Sequence, residues 1–307
     1  MNSNGTSGYR GRFAPSPTGH VHLGTARTAL VAWLRARSLG GALVMRIEDL
    51  DGPRVREGMS DAILEDLSWL GLDWDEGPDV PGARGPYVQS ARIERYREVI
   101  ASLRERGLVY PCTCTRRELA EISSAPHGEE PIYPGTCRGG PTHPERPAAL
   151  RFRFDRGEPF IDALLGPRDD GVASGDFVVA RSDGVIAYQL AVVVDDMDMQ
   201  ISEVVRGADL LSSVPRQVAL FRALGARPPT YLHVPLVLGA DGERLAKRHG
   251  AIAIRELRAQ GQGAAAIVGR LAASLGLVPS EASITPRELL AHFDLLRLPR
   301  EPIVITL

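Results

Sequence analysis

The first 70 residues alternate between short strand-like and longer helix-like segments, and this alternation limits the fold more than any other feature. Residues 10–16, RGRFAPS, predict a strand that a proline ends, and residues 25–41, TARTALVAWLRARSLGG, carry apolar side chains at helical spacing before two glycines. A second strand, ALVMRIEDLD, and a second amphipathic helix, MSDAILEDLSWLGLDWD, follow. A β-α-β-α order predicts an α/β fold with a parallel sheet and helices on its faces.

The composition places the chain among globular proteins and gives no sign of a membrane protein. No segment approaches the roughly 18 apolar residues that a membrane helix needs, and the N-terminus lacks the apolar stretch of a secretory signal. The 307 residues suit about two domains, and a net charge of −2 allows at most a local patch for nucleic acid. Three cysteines, an odd number, fit a reducing cytoplasm better than a disulfide framework.

The later part of the chain predicts a more irregular organisation. SARIERYREVIASLRERGLVYPC predicts a long helix and a short strand, whereas residues 111–147 contain all three cysteines, many prolines and no clear periodicity. ALRFRF and residues 176–207 predict strands, with SDG as a hairpin turn, and SVPRQVALFRALG predicts a helix. We expect five parts: a loose tail (1–9), the first half of a Rossmann-type, doubly wound sheet domain (10–110), an inserted module (111–190), the second half (191–250) and a short helical subdomain (251–307).

The segment FAPSPTGHVHLGT joins the first strand to the first helix, where open α/β sheets bind ligands. Gly19 and Gly24 allow a close approach to the backbone, and His22 and Thr25 can donate hydrogen bonds to phosphate oxygens. The segment lacks the lysine of a P-loop and the spacing of a dinucleotide fingerprint. On spacing alone, an anion site and an ordinary proline-stiffened loop remain equally open.

The cysteines form a second candidate site. Cys112 and Cys114 lie close to Cys137 in a segment rich in loops, and three thiolates suit a structural Zn²⁺ that orders such a segment. The fourth ligand is open, because His127 and His143 are both near in sequence. Three incidentally buried cysteines are the alternative. Asp195 and Asp196 follow a run of valines at the predicted end of a strand, and as a pair they invite a metal or general-base interpretation.

Four separated blocks resemble the class I glutamyl-tRNA synthetases. RFAPSPTGHVHLGTARTAL resembles their N-terminal signature, with HLGT in place of the HIGH-type ATP motif. RIEDLD, VVVDDMDMQISEVVRGADLL and GERLAKRHG follow in the family's order, the last in place of the KMSKS-type loop. The resemblance covers roughly residues 10 to 250 and implies a ligase that activates L-glutamate with ATP. It also makes Asp195 and Asp196 ordinary members of their block.

The chain is similar to the shorter paralogues in this family, the glutamyl-queuosine tRNA(Asp) synthetases, because only about 55 residues follow the KMSKS-type loop. Those paralogues attach glutamate to the queuosine base in the anticodon of tRNA(Asp). The resemblance therefore implies L-glutamate, ATP and the queuosine-bearing anticodon stem-loop as partners of a cytoplasmic protein, which we expect to be a monomer. A minimal synthetase that charges a tRNA 3′ end, and a non-catalytic sensor of ATP or glutamate, remain alternatives.

The resemblance also implies the site residues. Glutamate would be bound by Arg12, Ala14, Ser16, Glu48, Tyr188 and Arg206, with the two arginines on its carboxylates and Glu48 on its ammonium. ATP would be bound by His22, Gly24, Arg244 and Lys247, with His22, Thr25 and Lys247 as the catalytic residues and Mg²⁺ accompanying the nucleotide. His20 has a weaker claim, and Ala246 replaces the usual serine of the loop.

The same resemblance proposes a zinc ligand set. The paralogues use the spacing C-x-C…Y-x3-C, which corresponds here to Cys112, Cys114, Tyr133 and Cys137. A phenolate is an unusual zinc ligand, so a histidine remains the alternative.

Overall fold

The structure is a computed structural model, and it describes residues 8–115, 117–119, 132–172, 175–239 and 252–304. Its largest sheet has six strands, in the order β2-β1-β8-β9-β5-β6, and all neighbours are parallel except the β5–β6 hairpin at one edge. These strands are β1 (Arg10–Phe13), β2 (Ala42–Met45), β5 (Phe160–Asp162), β6 (Gly166–Arg168), β8 (Glu203–Gly207) and β9 (Thr230–Val234). The predicted parallel α/β sheet is confirmed.

Both faces of this sheet are buried, because successive side chains of a strand point to opposite faces. Leu43 and Met45 belong to one apolar cluster, whereas Val44 between them belongs to another. The sheet is accompanied by eight α-helices that have both ends in the described part of the chain. They are α1 (Leu23–Ser38), α2 (Met59–Trp69), α3 (Ile93–Glu105), α4 (Tyr188–Asp198), α5 (Val214–Ala223), α6 (Ile254–Ala259), α7 (Ala264–Ser274) and α8 (Pro286–Leu289).

A smaller antiparallel sheet lies within the predicted inserted module. It consists of β3 (Val109–Cys112), β4 (Ala149–Phe152) and β7 (Phe177–Ala180), and shares an apolar cluster with α3, α4 and α5. The predicted SDG turn follows β7, where the N–H of Arg181 bonds to the carbonyl of Val185. Strands β5 and β6 lie between β4 and β7 in sequence but pair with the main sheet, so the inserted module is interrupted in space.

The prediction of strand across residues 188–198 was wrong. The segment forms α4, in which every residue from Leu190 to Asp196 is buried. A valine run favours strand by propensity, but burial on all sides overrides that preference, and a short continuous apolar run does not distinguish a buried helix from a buried strand. Asp195 and Asp196 therefore stand on a helix rather than at a strand end.

The helices after residue 251, which we predict to be a short subdomain, pack against the first strand and the first helix. Ile254, Ile267 and Leu271 belong to the same apolar cluster as Leu30 of α1 and Phe13 of β1. Two short strands, β10 (Val237–Leu238) and β11 (Ile303–Val304), pair in parallel and fasten the end of the described chain beside the main sheet. Among the described residues, no helix is long and apolar enough to span a membrane.

Candidate functional site

The loop between β1 and α1 is fixed by the chain that follows β2. The backbone N–H groups of Arg46 and Glu48 donate to the carbonyls of Phe13 and Pro15, at 3.0 Å each. A third such bond runs from the Arg56 N–H to the carbonyl of Pro17, at 3.1 Å. Prolines cannot donate but can accept, so this segment takes its support from neighbouring donors and stays at the carboxyl end of β1.

A cleft of about 920 Å³ lies at this end of the sheet. It collects side chains from β1, α1, the segment after β2, the start of α4 and the end of β8. Nine of the predicted substrate and catalytic residues line it: Arg12, Ala14, Ser16, His22, Gly24, Thr25, Glu48, Tyr188 and Arg206. The topology thus brings positions up to 194 residues apart into one site, and His20 lines it as well.

His22 and Gly24 show why this helix start faces the cleft. His22 is the N-cap of α1 in an extended conformation, and its side chain makes no capping hydrogen bond. A Cβ added to Gly24 would meet no atom within 4 Å, so the first turn of α1 is open towards the cleft. Free N–H groups at a helix start favour an anion, because they carry the positive end of the helix dipole.

Arg46, which the sequence analysis did not single out, is the centre of a buried ion network. It is fully buried, and its guanidinium lies 2.7 Å from Asp196 and 3.0 Å from Glu48. Arg12 contacts the same Asp196 oxygen at 3.4 Å and donates to the carbonyl of Val205. Burial raises the pKa of Glu48, although Arg46 and Arg12 oppose this effect. The ion pair with Arg46 therefore holds the Glu48 carboxylate at the wall of the cleft.

The two adjacent aspartates each have protein partners. Asp195 is fully buried and accepts hydrogen bonds from Gln89, Arg92 and Tyr96, at 2.6 to 2.8 Å. Asp196 accepts from Arg46 and Arg12. Carboxylates whose oxygens are already bound by cations are poor ligands for Mg²⁺, so this pair serves the packing of α3, α4 and β1.

Arg206 lies at the end of β8 with its side chain almost wholly buried. Its nitrogens donate to His233 Nε2 at 2.9 Å, to Gln217 Oε1 at 2.8 Å and to the Leu210 carbonyl at 3.2 Å, and one lies 3.4 Å from the Tyr188 hydroxyl. Burial raises the pKa of Tyr188, so its hydroxyl keeps the proton and can donate to a ligand. Sequence reasoning missed His233 and Gln217, because they lie on β9 and α5, outside any recognisable motif, and meet Arg206 only in the folded chain.

The three cysteines come together as predicted. Their sulfur atoms all lie within 4.8 Å of one another, and those of Cys114 and Cys137 are 3.6 Å apart. The Tyr133 hydroxyl lies 3.4 Å from the Cys112 sulfur and 3.8 Å from that of Cys114. These four groups therefore surround one point, and can hold a metal ion.

His143 does not belong to this group of metal-ligand candidates, and its ring lies near two carboxylates. Its ring nitrogens lie 3.4 Å from Glu145 and 3.9 Å from Glu118. The other candidate histidine, His127, lies outside the described residues. So do Arg244, Ala246 and Lys247 of the predicted KMSKS-type loop, and their roles stay predictions.

Residues 9–299 match the sequence profile of the tRNA synthetases class I (E and Q), catalytic domain. The chain belongs to this family. Its curated relatives include proteins named glutamyl-Q tRNA(Asp) synthetase from Symbiobacterium thermophilum, 53% identical over 96% of this chain and 95% of the relative, and from Deinococcus radiodurans, 50% identical over 91% and 94%.

Solved structures of family members share the fold. A glutamate tRNA ligase from Elizabethkingia meningosepticum, crystallised with its amino acid, superimposes with a TM-score of 0.82 at 28% identity. The comparison covers 96% of this chain and 66% of that ligase, so the present chain corresponds to about two thirds of the ligase's length. The predicted class I catalytic fold is confirmed by this likeness together with the family match.

Proposed function

We propose that the protein activates L-glutamate with ATP and transfers the glutamyl group to queuosine in the anticodon of tRNA(Asp). The observation that carries this proposal is the degree of likeness. Relatives named glutamyl-Q tRNA(Asp) synthetase are about 50% identical over nearly the whole length of both chains, against 28–29% for the glutamate tRNA ligases. The cleft supplies the chemistry that a dicarboxylic amino acid requires.

Glutamate presents two carboxylates and one ammonium, and the cleft offers two arginines and one glutamate. In this proposal Arg206 binds the α-carboxylate, Arg12 binds the side-chain carboxylate and Glu48 binds the ammonium. Ala14, Ser16 and Tyr188 complete the pocket around the amino acid. Charges of both signs, held in place by buried partners, orient the substrate before the reaction begins.

Activation joins an α-carboxylate oxygen of glutamate to the α-phosphorus of ATP and breaks the bond to the β-phosphate, which releases pyrophosphate. The open start of α1, with His22, Gly24 and Thr25, suits the phosphate chain. Lys247, with Arg244 beside it, would stabilise charge on the leaving pyrophosphate, and Mg²⁺ would enter bound to ATP. Lys247 is the only lysine in the chain.

We also propose that the cysteine cluster holds one structural Zn²⁺. Sulfur–zinc bonds of about 2.3 Å in a tetrahedron separate sulfur atoms by about 3.8 Å, and the 3.6 Å between the sulfur atoms of Cys114 and Cys137 is close to that value. Tyr133 fits as fourth ligand better than His143, whose ring faces Glu145 and Glu118. The ion would order a segment that has few apolar residues of its own.

Two assays test the proposed function. The first measures glutamate-dependent exchange of pyrophosphate into ATP without tRNA, and we expect exchange by the zinc-loaded protein and its loss in Lys247→Ala. The second supplies ¹⁴C-glutamate and ATP with queuosine-bearing or queuosine-free tRNA(Asp). Label should enter only the queuosine-bearing RNA, whereas equal labelling of both would indicate charging of the 3′ end. Absence of exchange by the wild-type protein would overturn the proposal.

A further inference from the structure

A chain of three buried polar side chains crosses neighbouring strands of the main sheet and ends at the cleft. Asp162 of β5 contacts His233 of β9, with 2.6 Å between the carboxylate Oδ2 and the ring Nδ1. His233 Nε2 in turn lies 2.9 Å from Nε of Arg206 on β8. Asp162 and His233 have exposures of 1% and 0%, and neither lines the cleft, so neither can touch a substrate directly.

The geometry of this chain fixes the position of one proton. The Nε of an arginine carries a hydrogen and can only donate, so His233 Nε2 must accept and cannot be protonated. The ring proton therefore sits on Nδ1 and is donated to Asp162. Burial and the positive charge of Arg206 lower the pKa of His233, although Asp162 opposes this, so the ring is held in this neutral form.

Asp162 is itself oriented by the backbone. Its Oδ1 accepts from the N–H groups of Leu164 and Leu165, at 3.0 and 2.9 Å. The backbone N–H of His233 also donates to this carboxylate, at 3.1 Å to Oδ2 and 3.3 Å to Oδ1. The oxygen that faces the imidazole is thus Oδ2, and backbone donors of the protein hold the carboxylate in this orientation.

The imidazole separates the carboxylate from the guanidinium. The hydrogen-bond acceptors described for Arg206 are all neutral: His233, Gln217, the Leu210 carbonyl and the Tyr188 hydroxyl. Arg12, in contrast, shares Asp196 with Arg46. A directly paired carboxylate would compete with an anionic ligand for the arginine, whereas a neutral acceptor holds the side chain and leaves its charge available.

We propose that Asp162 and His233 are positioning residues, which aim Arg206 at a carboxylate of the amino-acid substrate by holding the imidazole in its Nδ1–H tautomer. This inference rests on the proposed activation of glutamate. It adds two residues, neither of which contacts the cleft, to the determinants of amino-acid affinity. The β5–β6 hairpin thereby contributes to the site although none of the four sequence blocks that carry the resemblance includes it.

Asp162→Asn tests the tautomer directly, because the amide has nearly the shape of the carboxylate. The Leu164 and Leu165 N–H groups keep the amide oxygen on their side, so the NH₂ group faces His233 and donates to Nδ1. The ring proton then moves to Nε2, opposite the N–H of Arg206, and two donors meet. We expect KM for glutamate in pyrophosphate exchange to rise about tenfold to a hundredfold, with KM for ATP unchanged.

His233→Gln supplies the rescue that a merely structural role would not predict. A glutamine can place its amide oxygen near the position of Nε2 and accept from Arg206 without any tautomer. In this background Asp162→Asn should raise KM for glutamate less than threefold, so the two changes should be strongly non-additive. Asp170→Asn is the matched control, since Asp170 pairs with Arg168 on the same hairpin and does not line the cleft.

The measurements use the full-length zinc-loaded chain. Nitrogen NMR of the histidine rings should find His233 protonated at Nδ1 in the wild type and at Nε2 in Asp162→Asn, and thermal unfolding checks that each variant is folded. Protonation at Nε2 in the wild type would overturn the inference, and so would an unchanged KM in a folded Asp162→Asn. If Asp162→Asn does not fold, the comparison of His233→Gln with His233→Leu decides. Leucine cannot accept from Arg206, so KM for glutamate should be higher in His233→Leu, and equal KM values would contradict the inference. A wild type without glutamate exchange would instead overturn the proposed function.

Discussion

Replacing Arg46 by methionine removes the cation at the centre of the ion network while keeping most of the side-chain volume. Asp196 and Glu48, at 2.7 and 3.0 Å from the guanidinium, would be left in a buried position, with Arg12 as the remaining cation near them among the described residues. Removal of one partner from a buried ion pair costs about 3–5 kcal/mol, because the remaining charge keeps its desolvation penalty. We expect Arg46→Met to lower the free energy of unfolding by that amount.

The change should be visible in both chemical and thermal unfolding. For a chain of 307 residues, an unfolding entropy of about 2.1 cal/mol/K per residue gives about 0.6 kcal/mol/K, so the melting temperature should fall by roughly 5–8 °C. Arg222→Met is the matched control, because the Arg222 and Glu158 side chains are 56% and 66% exposed. An exposed ion pair of this kind contributes about 1 kcal/mol or less.

The pH dependence gives this prediction a second signature. Burial raises the pKa of Glu48 while Arg46 opposes that rise, so the pKa should rise further in Arg46→Met. A carboxyl group whose pKa is raised in the folded state stabilises the fold at low pH and loses that contribution as pH rises through the folded pKa. The deficit of the variant should therefore grow from pH 4 to pH 7, measured by urea unfolding followed by circular dichroism. A deficit below 1 kcal/mol at pH 7, or one that is independent of pH, would refute this account of the network.

Four further outcomes follow from the site. Glu48→Gln should raise KM for glutamate about tenfold to a hundredfold in pyrophosphate exchange. In the wild type, glutamate affinity should fall towards acid pH as Glu48, whose pKa is raised by burial, becomes protonated and neutral, and Glu48→Gln should abolish this pH dependence. Tyr133→Phe should lower zinc content by atomic emission while His143→Ala leaves it at one per chain; the reverse result would make the histidine the ligand. Arg151→Met should speed zinc loss to a chelator several-fold, because Arg151 donates to the Cys112 sulfur at 3.2 Å and offsets the negative charge of the thiolates. Amine-specific acylation should modify Lys247 alone among the side chains, and ATP should slow it; labelling at the same rate with ATP present would count against contact with phosphates.

Much of the site was accessible from the sequence because the determining residues lie in short continuous blocks. The loop before α1 carries its own geometry in its prolines and glycines, and the family resemblance assigned side chains on each block. The cysteines are spread over a longer segment, but the family resemblance placed Cys112 and Cys114 together with Tyr133, and these side chains do meet.

Other features were not accessible, and the failures have physical causes. The segment of α4 was predicted as strand because its valines favour extended structure, and only its position among α3, α5 and β7 makes a buried helix the better solution. The sequence predicted the C-terminal helices but not their partner surface, which is the apolar cluster around α1. Local patterns specify which face of a helix is apolar, not the surface that it meets.

The sequence by itself determined the order of strands and helices around the first motif, because that order depends on neighbours within a few positions. Through the family resemblance it also indicated the residues offered to an anionic substrate and the cysteine cluster. The tertiary structure decided how those residues are held. Arg46 meets Asp196 of α4, and Asp162 of β5 lies behind His233 and Arg206; in each case the partners are distant in sequence and adjacent in space. The reason is that a buried charge must find its partner wherever the fold places one, and that placement depends on the packing of the whole sheet.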